Sequence, residues 1–291
     1  MGISARITKR WLMELDGERT TMPTTFDPGI CQEPLATLCD QAPDRSVFPA
    51  DSFRVEWGPI FYRGRLDGSA RILCIGQDPA QNEDIVRRIL IGVAGHRVQG
   101  FLAKLGIDRS YVMLNPFLYS VYNQNSASNH LNDPAIADYR NRWFSALIAS
   151  GSVEAVVAFG SLADVAWREF AKIAGASGML PYQHVPHPTS PESAGGTRER
   201  IKAATAAMLR EWNTALEALR QAVKHPDAVR PFVPYGTDFQ PGELVEIPAY
   251  DVPAGIPAWM RGTDGWAART GTTAAEKRRT ITVHVPAGII A

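Results

Sequence analysis

Between residues 71 and 223 the chain alternates short apolar runs with amphipathic stretches, a pattern few folds can satisfy. Ile72-Leu73-Cys74-Ile75, Ser110–Leu114 and "VEAVVAF" (153–159) are apolar at consecutive positions rather than at every second one. Strands of that kind must be covered on both faces. The segments between them carry apolar residues at helical spacing: Asp84–Leu105 (Ile85, Ile89, Val93, Phe101, Leu102, Leu105), Pro134–Ala149, Leu162–Ile173 and the Ala- and Arg-rich Thr197–Val223. Tyr182–Val185 reads as a short fourth strand. Strands alternating with helices in this way predict a doubly wound α/β fold, a three-layer sandwich around a central, mainly parallel four-stranded sheet.

This domain is expected to span residues 53–225. Residues 1–52 are mixed and rich in Thr, Pro and Asp, and read as an N-terminal extension with one short helix near Trp11–Leu15. Residues 226–291 are punctuated by Pro and Gly. There "ELVEIPAY" and "TITVHVPAGII" look like strands and no helix is evident, which predicts a β-rich C-terminal extension. A chain of 291 residues is long enough to bury one large core. It is 45% hydrophobic and 21% charged, with no apolar run of membrane-spanning length, and its first residues lack the apolar stretch of a secretory signal. Its 3 Cys (Cys31, Cys39, Cys74) show no C-x-x-C spacing. The expectation is a cytoplasmic protein without a disulfide framework, structural zinc or an iron–sulfur cluster. A formal net charge of zero neither requires nor excludes a nucleic acid partner.

Ligands of open α/β sheets bind beyond the carboxyl ends of the strands. At those ends the sequence places Gly76-Gln77-Asp78-Pro79, Asn115-Pro116-Phe117, Gly160-Ser161 and "VPHPTSPES" (185–193). Taken singly, each is ordinary. Asp before Pro is commonly a turn former or helix cap, Asn at a strand end often bonds its own backbone, and His beside Pro is more often a satisfied loop residue. Together they bring one carboxylate (Asp78), one amide (Asn115) and one imidazole (His187) to neighbouring strand ends. No second carboxylate or His stands within ligand spacing of these three, so a metal site is not expected. Gly76 is not followed by G-x-G-x-x-G, which disfavours a dinucleotide. A G-x-S-x-G nucleophile elbow is also missing.

"GQDPA" (76–80) resembles the first motif of the uracil-DNA glycosylase superfamily, GQDPY in one branch. "HPTSPESAG" (187–195) resembles the second motif, HPSPLSA, with one extra residue after the proline. "YVMLNP" (111–116) is similar to the strand that ends in the uracil-reading Asn, and "EDIVRRILIGVAGHRVQGFLAKLGI" (83–107) is more like the iron–sulfur branch. The resemblance covers about residues 70–210. It implies a monofunctional glycosylase that flips deoxyuridine out of DNA and hydrolyses its N-glycosidic bond, releasing uracil and leaving an abasic site. Under it, Asp78 orients and deprotonates the attacking water or stabilises the sugar cation. His187 donates to uracil O2 as negative charge develops, and Asn115 accepts from N3–H and donates to O4. The main-chain amide of Gln77 is a further donor. Cytosine reverses the pattern that Asn115 reads, leaving buried groups unpaired at roughly 1–3 kcal/mol each. The resemblance implies no metal and no organic cofactor. The implied partner is uracil-containing DNA, single- or double-stranded, with the protein acting as a monomer.

The departures are informative. Ala80 stands where the motif has a Tyr that crowds the methyl of thymine, so another side chain must exclude thymine (Ile85 and Asn82 are candidates) or selectivity is looser. Aligning the helix segment with the iron–sulfur branch puts Leu90 at the Phe that stacks on uracil. His96, Phe101 and Phe117 are the alternatives, with Phe117 favoured by its position two residues past Asn115; Leu90 and Phe101 at helical spacing equally fit a core. Ser190, Ser193, Arg198 and Arg200, around the flexible Gly195-Gly196, are candidates for phosphate contact. A solvated helix start accounts equally well for Arg198 and Arg200. The matching stretch has no Leu to wedge into a duplex. Two other readings stay open: a glycosylase for mismatched, damaged or 5-substituted pyrimidines, and a non-catalytic protein that binds uracil or abasic DNA.

Overall fold

The computed structural model describes residues 25–289 apart from 123, 176–179, 194 and 264. The helix expected near Trp11–Leu15 lies outside them. Five strands, β1 (Tyr62–Gly64), β2 (Ile72–Ile75), β3 (Tyr111–Leu114), β4 (Ala155–Phe159) and β5 (Tyr182–Val185), form one sheet in the order β1-β3-β2-β4-β5. The helices are α1 (Leu35–Asp40), α2 (Gln81–Val86), α3 (Val93–Lys104), α4 (Gln124–Ser128), α5 (Pro134–Ala149), α6 (Ser161–Ile173), α7 (Ser190–Ser193) and α8 (Arg198–Ala222). A C-terminal hairpin, β6 (Ala267–Arg269) and β7 (Ile281–Val283), encloses α9 (Ala274–Arg279).

β2 is the centre of the sheet. It pairs in parallel with β3, Ile75 opposite Leu114, and with β4, Ile75 opposite Ala158. β5 adds in parallel to β4, and β1 lies antiparallel outside β3. The sheet is therefore five-stranded and mixed rather than four-stranded. Tyr62-Arg63-Gly64 has no apolar run to betray a strand, because Arg63 is buried by ion pairing with Asp251 and not by hydrophobicity.

The consecutive apolar residues of β2 split between the two faces, as the pleat requires. Ile72 and Cys74 join Val98 and Phe101 of α3 and Trp212 and Leu216 of α8. Leu73 and Ile75 join Trp143 and Phe144 of α5 and Trp167 and Phe170 of α6. The chain thus leaves β2 toward the α3–α8 face, and leaves β3 and β4 toward the α5–α6 face. Such a divergence opens a crevice at the carboxyl ends of the strands.

The single helix expected over Asp84–Leu105 is two helices, α2 and α3. Between them Arg87 (φ 64°) and Leu90 (φ 53°) adopt left-handed conformations. The cause is Glu83, whose buried carboxylate accepts from the backbone N–H groups of Ala80 (3.1 Å), Ile91 (2.8 Å) and Gly92 (3.3 Å). It satisfies orphan donors at the starts of both helices, and the apolar period runs through the break unmarked.

Residues 226–289 are not β-rich, since among the described residues there only β6 and β7 are strands. "ELVEIPAY" forms no strand and instead lies along α3, where the N–H of Val245 donates to the His96 carbonyl (3.3 Å). Further on, fully buried Asp251 accepts from Arg63 (3.0 Å), Arg65 (2.6 Å) and the Tyr111 hydroxyl. Tyr235 and Phe239 pack edge-on against Trp212. No helix among the described residues is long and apolar enough to cross a membrane.

Candidate active site

Backbone bonds carry the parallel ladders one residue past the strands: the N–H of Gly76 donates to the Leu114 carbonyl (2.8 Å) and that of Gly160 to the Val185 carbonyl (2.8 Å). Two glycines then permit contacts that no side chain would. A Cβ on Gly76 would lie 2.3 Å from Asn115 Oδ1, and one on Gly160 (φ +97°) would lie 2.6 Å from Gln77 Oε1 and 3.1 Å from His187 Cβ. Gln77, Asn115 and His187 are thereby gathered at the carboxyl edge of β3, β2, β4 and β5. Gln77 is locked in place, its Oε1 accepting from the Leu162 N–H (3.2 Å) in the first turn of α6.

Asn115 is 8% exposed and its Oδ1 is buried without a hydrogen-bond partner. A buried acceptor left unsatisfied costs about 1–3 kcal/mol, so its donor is expected from a ligand. Leu90 approaches the same place, with its Cδ1 3.6 Å from the position of a Gly76 Cβ. A non-glycine residue in the left-handed region costs roughly 1–2 kcal/mol, and such strain collects at functional sites. Phe117, by contrast, is completely buried and packs edge-on against Phe53, with centroids 5.1 Å apart, in a cluster with Leu162 and Ala166. Phe101 meets Phe159 and Trp212 in the core. His96 is buried with its Nδ1 2.8 Å from the Val245 carbonyl, and burial lowers its pKa.

Asp78 is half-buried in the loop between β2 and α2. That loop is braced from both sides. The Pro79 carbonyl accepts from the Ser120 hydroxyl (2.7 Å), which also reaches Asp84 (3.2 Å). Arg269, from β6, pairs with Asp84 and donates to Ser120 Oγ (3.1 Å). Burial raises the pKa of both Glu83 and Asp84. Ala80 immediately precedes α2 as its N-cap and is exposed. Asn82 is buried beside Gly92, and Ile85 packs against a cluster containing Val86, Ile91 and Trp266.

His187 is half-buried. Its Nδ1 accepts from the Thr189 N–H (3.3 Å) and lies 3.1 Å from the Thr189 hydroxyl. A backbone amide can only donate, so this tautomer carries its proton on Nε2. Burial, reinforced by the Arg97 charge, pushes the His187 pKa down to about 4, leaving a neutral ring at pH 7. Arg97 clamps the loop by donating to the Pro188 carbonyl (2.6 Å) and pairing with Glu192 (2.6 Å). The Trp212 indole donates to the Pro186 carbonyl (3.1 Å). These braces carry no local motif, because each joins residues far apart in the chain.

The expected phosphate contacts divide. Ser190 directs its hydroxyl at the Met208 sulfur (3.8 Å), whereas Ser193 of α7 and Arg198 and Arg200 in the first turn of α8 are exposed. Among the described residues, no group of three or more His, Cys, Asp or Glu side chains is placed to hold a metal ion. The arrangement joins an unpartnered amide acceptor and a neutral imidazole donor at the strand ends, with the Asp78 carboxylate in the adjoining β2–α2 loop, a set suited to a flat ligand that both donates and accepts along its edge. No known family model matches the chain, and no curated protein matches it.

Proposed function

We propose that the protein is a uracil-DNA glycosylase that hydrolyses the N-glycosidic bond of deoxyuridine and leaves an abasic site in DNA. The observation that carries this reading is the buried, unpartnered Oδ1 of Asn115 at the end of β3. A flipped uracil supplies the missing donor through N3–H, and the Asn115 amide returns a hydrogen bond to O4. Cytosine meets that oxygen with an acceptor and leaves the mismatch buried.

In this mechanism bond breaking places negative charge on the departing uracil and positive charge on the sugar. A neutral His187 holding its proton on Nε2 stabilises the uracil anion through a short hydrogen bond to O2, without transferring charge. The Thr189 amide fixes the tautomer, and the Arg97–Glu192 clamp fixes the loop. Asp78 faces the sugar, orients water for attack and opposes the cationic charge. Leu90 provides an aliphatic wall in place of an aromatic ring.

The test is base release from a uracil-containing oligonucleotide by wild type, Asp78→Ala and His187→Ala. Both variants are expected to lose at least 10²-fold in single-turnover rate while remaining folded. Wild-type protein that releases no base, or an Asp78→Ala variant at the wild-type rate, would overturn the proposal. The exposure of Ala80 favours a second reading in which 5-substituted uracils are also accepted. Thymine and 5-halouracil oligonucleotides assayed alongside uracil decide it, and strict rejection of both removes this reading.

A further inference from the structure

The chain is balanced overall, with 30 basic and 30 acidic residues, but the C-terminal hairpin is not. From 267 to 284 it carries Arg269, Lys277, Arg278 and Arg279 against a single carboxylate, Glu276. Glu276 is already committed to the start of α9, accepting from the N–H groups of Thr272 (2.6 Å) and Thr273 (3.2 Å). Lys277 and Arg279 project exposed from the last turn of α9.

The hairpin is held against the candidate active site. Trp266, Ile281 and Val283 pack with Val86 and Ile91, which flank the turn between α2 and α3. The Trp57 indole donates to the Arg278 carbonyl (2.9 Å), and Arg278 Nη1 donates to the Ala50 carbonyl (2.6 Å). Arg54, whose N–H bonds the Ser120 carbonyl (2.8 Å), completes the cluster. Its guanidinium lies 4.4 Å from the centre of the Tyr122 ring, with that of Arg278 5.4 Å from the same ring. Ser120 links this cluster directly to Pro79 and so to Asp78. Burial, then repulsion by Arg269, lowers the Arg54 pKa. Arg54 Nε and Arg269 Nη1 are buried donors without partners. Within this cluster Arg269 is paired with Asp84 and Arg278 with Glu56, so the cations open to an outside anion are the exposed Lys277 and Arg279 beside them.

We infer that the β6–α9–β7 hairpin, together with Arg54, is a phosphate-binding arm that grips the DNA backbone beside the flipped nucleotide. It rests on the glycosylase reading for the identity of the strand. It adds that the principal backbone contact comes from the C-terminal extension, outside the region that carries the glycosylase-like motifs. Arg54 and Arg269 form its inner end next to the Asp78 loop, and Lys277 and Arg279 its outer end.

The test uses the full chain and a fluorescent oligonucleotide without uracil, so that binding is read independently of base release. Anisotropy is followed from 50 to 200 mM salt for wild type, Lys277→Ala/Arg279→Ala, and Arg168→Ala/Lys172→Ala on α6, which makes the same charge change elsewhere. Two phosphate contacts with a slope of about 0.9 each account for about a tenfold loss of affinity over that fourfold rise in salt. The hairpin variant is therefore expected to bind more weakly at 50 mM, with its log–log salt slope reduced by about one per cation removed. The α6 variant should match wild type. No binding by wild type, or equal slopes for the hairpin and α6 variants, would overturn the arm. Uracil release is measured separately on the same proteins. A hairpin-dependent slope without base release removes the glycosylase reading and leaves the arm; base release with an unchanged slope does the reverse.

Discussion

Gly76→Ala perturbs the candidate site at a single atom. Gly76 lies outside the left-handed region, so alanine introduces no torsional strain, but the new Cβ would sit 2.3 Å from Asn115 Oδ1. Ordinary contact begins at roughly 3.5 Å, so the amide must retreat by about 1 Å. The other neighbour, Leu90 Cδ1 at 3.6 Å, is not disturbed. Because Oδ1 has no hydrogen-bond partner to lose, the stability cost is confined to overpacking, about 1 kcal/mol. In a domain of this size that is a fall of about 2–4 °C in Tm. The functional cost is larger. A misplacement of about 1 Å in a positioning group lowers the rate roughly 10²-fold, or about 2.7 kcal/mol in transition-state stabilisation. Single-turnover uracil release and thermal unfolding, measured on the same preparation, separate the two effects. A variant with the wild-type rate would show that Asn115 Oδ1 is not where uracil is read. A loss of activity that merely followed a collapse in Tm would refute the idea of a yielding side chain.

Gly160→Ala should cost more stability than Gly151→Ala. Both glycines have positive φ, but only Gly160 would press on Gln77 and His187; equal Tm losses would contradict this, and only Gly160→Ala should slow base release. Asp251→Ala leaves Arg63 and Arg65 without their buried partner. Chemical denaturation should report about 3–5 kcal/mol, and a loss below 1 kcal/mol would show that the extension is not anchored there. Finally, a His side chain in the unfolded chain titrates near 6.5, whereas burial in the fold pushes His187 down to about 4. Between those values the unfolded state binds the extra proton, so stability falls as pH drops from 6.5 towards 4. His187→Gln should lose up to about 1.4 kcal/mol per pH unit of that slope. An NMR titration of the ring with a midpoint near 6.5 would refute the lowered pKa and with it this pH dependence.

The sheet was legible in the chain wherever burial on both faces demanded consecutive apolar residues, as in Ile72–Ile75 and "VEAVVAF". Local chemistry also made visible the residues that follow such strands, because the carboxyl ends of parallel strands must share one edge. On that ground the sequence alone makes Asp78, Asn115 and His187 candidates. Tertiary structure alone decided the rest. Strand β1 hides because a buried Arg63 is stabilised by Asp251, 188 residues away, and no local pattern encodes such a pair. The break between α2 and α3 hides because one carboxylate, Glu83, caps two helices across a turn whose apolar period continues. The C-terminal extension looked separable, yet Asp251, His96 and Arg269 tie it to the core and to the Asp78 loop. Propensity and periodicity are short-range properties, and they specify which segments need cover. Long-range ion pairs and close backbone approaches determine what covers them, and here they placed Arg269 beside the motif that the sequence had already singled out.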